Sequence, residues 1–87
     1  MRKSNLQKRK ELETDQRLDW DDLRTVLAIV RSGSLSGAAH ALGVGHSTVF
    51  RRLEAIERRL GAALFERERG GYLPNAHGEA VAEAAQT

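Results

Sequence analysis

The chain has 87 residues, no cysteine and a formal net charge of +2, which suits one small domain and leaves no room for a deep substrate pocket beside the core. Lack of thiols excludes disulfide staples and thiolate chemistry, and no apolar run approaches the ~20 residues of a membrane span or forms a signal-peptide core, so a cytoplasmic location is expected. The basic groups are concentrated, six against three acidic in residues 1–18 and four against two in residues 43–60, as suits a polyanion partner or an ordinary solvated surface.

Residues 1–18 are expected to be a flexible basic arm, because residues 1–17 offer only Met1, Leu6 and Leu12 as apolar side chains and have no face to bury. Such an arm either adds phosphate contacts or is an extension without a binding role. Asp19 opens the first predicted helix, which runs to about Ser32. Asp22 follows three residues later in a capping-box position, and Arg31 complements the far end of the helix dipole. Trp20, Leu23, Leu27 and Val30 recur at helical spacing, widened by Val26 and Ile29, so Trp20 reads as a core or edge-of-core residue. Gly33 is the stop.

Ser36 is expected to cap a short second helix ending at Leu42, with Leu35, Ala39 and Leu42 inward. The small Ala38-Ala39 pair lets two helix axes approach closely. Gly43-Val44-Gly45 then makes a sharp turn, with Val44 plugging the corner. A third helix starts near Gly45-His46 and carries Val49, Leu53, Ile56 and Leu60 at spacings of four, three and four, one face of a helix. Gly61 ends it. Leu64-Phe65 and Tyr72-Leu73 flank a charged loop and predict a hairpin turning at Gly70-Gly71, with Pro74 at its end or on an edge. Asn75 caps a last alanine-rich helix over residues 76–87, too short to be stable unless packed.

These elements predict a mostly α fold with a small β-hairpin, a winged helix-turn-helix over residues 19–74 followed by a linker helix over 75–87. In that arrangement the third helix sits on the core by its stripe and offers the other face to a DNA major groove. The residues placed to reach bases or phosphates are His46, Ser47, Thr48, Phe50, Arg51 and Arg52. Arginine reads guanine through two hydrogen bonds or clamps phosphate, and hydroxyls and imidazole bond either. Phe50 either touches a thymine methyl or, beside Val49 and Leu53, packs at the core margin. Arg58 and Arg59 lie too far along for bases and are expected to be solvated or paired with Glu54. Arg67 and Arg69, near the wing tip, either meet the DNA backbone or minor groove or stay in solvent.

The same residues resemble the DNA-binding domain of LysR-type transcriptional regulators. The resemblance covers residues 19–87 and rests on an ordered set: Gly33-Ser34, Leu35, Ala38-Ala39, Leu42, Arg51, Ile56-Glu57, Leu60-Gly61, Leu64-Phe65-Glu66-Arg67 and Gly78-Glu79. Three positions depart from the family pattern. Gly45-His46 stands for Ser-Gln at the start of the recognition helix, Phe50 for a serine, and Pro74-Asn75 for Leu-Thr. The first two are expected to change which bases are read, not whether DNA is bound, and the third keeps a capping residue. The resemblance implies pairing through the linker helix, here at Val81, Ala84 and Ala85, and palindromic half-sites about one helical turn apart. It also implies an effector-binding domain beyond the linker helix, which these 87 residues do not include. A homodimer on DNA, weak or monomeric when free, is therefore expected.

An enzyme is not expected. His40, His46 and His77 lack metal-ligand spacing, and no phosphate loop or nucleophile motif is present, so no catalytic residue, metal or cofactor is assigned. The alternative is a winged-helix interaction module that pairs with a full-length relative. Such a module would carry apolar residues on the exposed face of the third helix, where Phe50 is the single candidate.

Overall fold

The computed structural model describes residues 18–86, as α1 (Trp20–Ser32), α2 (Leu35–Leu42), α3 (His46–Leu60), β1 (Phe65–Glu68), β2 (Gly71–Pro74) and α4 (Ala76–Gln86). The expected basic arm, residues 1–17, lies outside the described residues. Leu18 is buried in the core, so the folded part includes the residue before Asp19.

Helix α1 begins as its sequence requires. The Asp22 N–H donates to Asp19 Oδ1 at 2.9 Å, and the Asp19 N–H donates to Asp22 Oδ2 at 3.1 Å, a reciprocal capping box. Its most buried positions are Asp22, Thr25, Val26 and Ile29. The stripe predicted from Leu23, Leu27 and Val30 is only half-buried. Trp20 is 63% exposed and is not a core residue. As the first helical residue it precedes the turn on which the other elements close. Thr25 tolerates full burial because its hydroxyl donates to the Asp21 carbonyl at 2.9 Å.

The cap of α2 is Ser34, not Ser36. Ser34 Oγ accepts from the Gly37 N–H at 2.9 Å, and Ser36 is an exposed first-turn residue. Gly33 ends α1 in a left-handed conformation, and α2 begins directly after Ser34, two residues sooner than a cap at Ser36 would place it. Ala38 and Ala39 are buried, which lets α2 pack on both α1 and α3. The corner to α3 depends on Gly43, whose φ of 71° disfavours any residue with a Cβ. It brings the Val44 N–H to the Ala39 carbonyl at 3.0 Å and packs Val44 against the core.

Helix α3 buries Val49, Leu53 and Ile56, the predicted stripe, while Leu60 packs against the same cluster half-buried. The hairpin is antiparallel, pairing Phe65 with Pro74, Glu66 with Leu73, Arg67 with Tyr72 and Glu68 with Gly71. Its turn is therefore Arg69-Gly70, and Gly71 belongs to β2 rather than to the turn. The Tyr72 N–H donates to the Gly33 carbonyl at 2.9 Å, which ties the wing to the α1–α2 corner.

Leu64 joins three elements. Its side chain is fully buried, its N–H donates to Glu57 Oε2 on α3 at 2.8 Å, and its carbonyl accepts from the Asn75 N–H at 3.0 Å. Asn75 caps α4 as predicted, Oδ1 accepting from the Gly78 N–H, while its Nδ2 donates to the Ala63 carbonyl, both at 2.9 Å. Asn75→Ala removes both bonds and is expected to cost about 1–2 kcal/mol, read as a lower midpoint in thermal unfolding. An unchanged midpoint would show that water replaces both. Helix α4 packs along α1 and buries Ala82 and Ala85.

Candidate nucleic-acid interface

With ~100° between successive residues of a helix, α3 divides into faces whose surroundings the contacts settle. Opposite the buried stripe lie Ser47, Arg51, Glu54 and Arg58, all exposed. On the flank toward α1 lie Thr48, Arg52 and Arg59. On the flank toward the wing lie His46, Phe50 and Glu57. The six residues predicted on this helix are thus spread over its exposed half, with Arg51 at the centre.

Arg51 and Arg52 are both exposed, and among the described residues neither forms an ion pair. Their positions differ. Arg51 projects from the outermost face beside Ser47. Arg52 borders a polar cleft with Asp21, Arg24, Thr25, Leu42 and Val44, at the seam between α1 and the helix-turn-helix corner. His46 and Ser47 are exposed and Thr48 is half-buried. The cap position before them is Gly45, which offers no side-chain acceptor to the first-turn N–H groups.

Arg59 is not merely solvated. Its Nη2 lies 3.0 Å from Oδ2 of Asp22, a carboxylate that is 12% exposed. Asp22 sits on the facing side of α1, so its carboxylate serves both the capping box and a link to α3. Arg58 is exposed.

On the wing flank, Phe50 is half-buried. The Arg67 Cζ lies 5.7 Å from the centroid of the Phe50 ring and 5.5 Å from that of Tyr72. The Phe65 and Tyr72 rings meet edge to face, 6.1 Å apart at 74°. Strand alternation explains the grouping. Arg67 and Tyr72 are cross-strand partners on the face of the hairpin turned to α3. Leu73, on the alternate side of β2, is 53% exposed. Arg69 is exposed in the wing turn.

Sequence reading missed Glu57 as the anchor of the wing, Asp22 as the partner of Arg59, and the rings around Arg67. The residue types gave a signal in one case only: the alternation of Phe65 and Arg67 opposite Tyr72 marks one hairpin face. The three residues predicted for pairing lie differently on α4. Ala85 is buried by its own chain, Val81 is half-buried against the core, and Ala84 is exposed. Among the described residues no group of three or more His, Asp or Glu side chains is placed to hold a metal ion, and no helix is long and apolar enough to cross a membrane.

The family described as bacterial regulatory helix-turn-helix protein, lysR family, matches residues 20–79. Among curated relatives, the HTH-type transcriptional regulator CbbR of Sinorhizobium medicae is 45% identical over 64 residues, covering 74% of this chain and 20% of the relative. The Mau operon transcriptional activator of Paracoccus denitrificans is 46% identical over 57 residues, covering 66% of this chain and 20% of the relative. The chain thus spans about a fifth of the length of these relatives. Among solved structures, the complex of the CbnR DNA-binding domain with DNA superposes with a TM-score of 0.74 at 30% identity, covering 79% of each chain.

Proposed function

Since the chain belongs to the LysR family of bacterial regulatory helix-turn-helix proteins, we propose that it binds double-stranded DNA by sequence, as the DNA-reading part of a cytoplasmic transcriptional regulator. Helix α3 enters the major groove. Arg51 and Ser47, at the centre of its outer face, read base edges, with His46 and Thr48 beside them in the first turns. Arg52, on the α1 flank, takes a phosphate of the strand that runs along that side of the groove. Arg67 and Arg69 on the wing meet the backbone or minor groove. The observation that carries this reading is Arg51, an exposed cation without an ion pair among the described residues, set opposite the buried Val49, Leu53 and Ile56.

Two copies bind together on half-sites about one helical turn apart, paired through the exposed side of α4 at Ala84 and the uncovered edge of Val81. Without DNA the 87-residue chain is expected to sediment as a monomer or a concentration-dependent dimer. A tight dimer in dilute solution would contradict this. Phe50, the residue that pointed to an adaptor role, is half-covered and faced by Arg67, and the outermost face of α3, with Ser47, Arg51, Glu54 and Arg58, offers no apolar side chain to the protein-interaction alternative.

The test is selection of random duplex DNA on the purified chain, followed by a salt titration on the enriched sequence. A symmetric motif is expected. With about three phosphate contacts per copy, from Arg52, Arg67 and Arg69, log K should fall with log salt at a slope of roughly −2.7 or steeper per copy. No enrichment at low salt, even with the chain fused to a dimeric carrier, would overturn the reading.

A further inference from the structure

The aromatic environment of Arg67 gives Phe50 a task apart from reading bases. We infer that Phe50, together with Tyr72, holds the Arg67 guanidinium in place for a DNA phosphate, so that Phe50 is a positioning residue acting through Arg67. This inference rests on the DNA-binding reading given above.

Arg67 is exposed on a two-stranded wing. A long side chain there ordinarily samples many rotamers, and fixing it on binding carries an entropic cost. Here its Cζ is within 6 Å of two ring centroids, one on α3 and one on β2, the range in which a cation is attracted to an aromatic face. No carboxylate holds it, because among the described residues it forms no ion pair. A ring and a carboxylate restrain arginine differently. A carboxylate occupies the N–H fork, whereas a ring draws the cation to its face and leaves N–H groups to donate to phosphate oxygens. The charge therefore remains available while its position is restricted.

The supports are themselves fixed. Tyr72 is held by its N–H bond to Gly33 and by the edge of Phe65, and Phe50 follows the buried Val49 on α3. Arg67 thereby bridges the helix in the groove to the wing beside it and sets the distance between a base-reading element and a backbone contact. A serine at position 50, the residue the family pattern favours there, would lack one of the two rings.

A double-mutant cycle tests this on a duplex enriched from random sequence by the wild-type chain, with binding of the wild type to that duplex as the control for the underlying reading. Phe50→Leu keeps apolar volume and removes the ring. Arg67→Ala removes the cation. Each is expected to weaken binding on the order of three- to thirtyfold, and the pair together by little more than Arg67→Ala alone. Arg67→Ala is also expected to flatten the salt slope by about 0.9, one phosphate. Phe50→Leu should leave the preference at every base pair unchanged. Multiplying effects of the two changes, or a relaxed preference at one base pair in Phe50→Leu, would overturn the inference and leave DNA binding itself intact. Thermal unfolding of each variant separates lost positioning from lost fold. If Phe50→Leu melts early, Tyr72→Leu replaces it in the same cycle.

Discussion

Gly78→Val is expected to cost about 3 kcal/mol of folding free energy, lowering the unfolding midpoint by roughly 12–24 °C for a domain of this size. A Cβ at position 78 would collide with the carbonyl oxygen of Leu64 and crowd Pro74. Neither side can yield cheaply. The Leu64 side chain is fully buried, and its peptide groups are bound by Glu57 and Asn75. Gly78 is in turn held by its N–H bond to the Asn75 cap. The obstacle is backbone, so relief requires α4 to lift away from the wing, uncovering Ala82 and Ala85 along α1. Gly45→Ser is the matched control. A Cβ at position 45 meets nothing within 4 Å, φ there is −78°, and serine is a better cap than glycine, so its midpoint should hold or rise. Calorimetry of both variants decides the matter. A midpoint for Gly78→Val within about 2 °C of the parent would mean that α4 is not seated on Leu64.

That junction also marks where the sequence stops being legible. Periodicity reports which residues share a face, and the stripe of Val49, Leu53 and Ile56 was readable because α3 has a single buried side. Short-range chemistry was plain at three places, though not at the α2 cap, which is Ser34 rather than Ser36, nor at the hairpin turn. Asp19 with Asp22, Asn75 with Gly78 and the left-handed Gly43 all act within four residues of themselves. Helix α1 was harder because α2, α3 and α4 all contact it. Burial there spreads beyond one stripe, takes in Thr25 and Asp22, and leaves Trp20 outside. The links from Arg59 to Asp22, from Glu57 to the Leu64 N–H and from Arg67 to Phe50 join residues that only the packed fold brings together. Charge and spacing along the chain hold no record of them. The same limit applies to the interface. Residue types picked out the exposed half of α3, but they did not separate Arg51 on the outer face from Arg52 on the α1 flank. That separation depends on which neighbours the helix has.

Placement among neighbours is also what gives Arg51 and Arg59 different expected effects. Arg51→Ala should weaken binding to the selected duplex by about 1–3 kcal/mol, roughly five- to 150-fold. Arg59→Ala should leave affinity within about twofold. Its guanidinium is engaged with Asp22, and because the arginine is nearly half exposed its loss should cost stability only about 0.2–1 kcal/mol. Lysine at position 51 separates the two ways in which an arginine contributes. Arg51→Lys keeps the charge but lacks the planar fork that forms two hydrogen bonds with guanine. If Arg51 reads a base, the lysine variant keeps the wild-type salt slope and loses preference for the selected sequence over a scrambled one. If Arg51 only neutralises phosphate, lysine restores affinity on both duplexes alike. Measuring both proteins on both duplexes at two salt concentrations distinguishes these cases. Equal affinities for Arg51→Ala and the parent would remove Arg51 from the interface, and with it the observation on which the DNA-reading assignment stands.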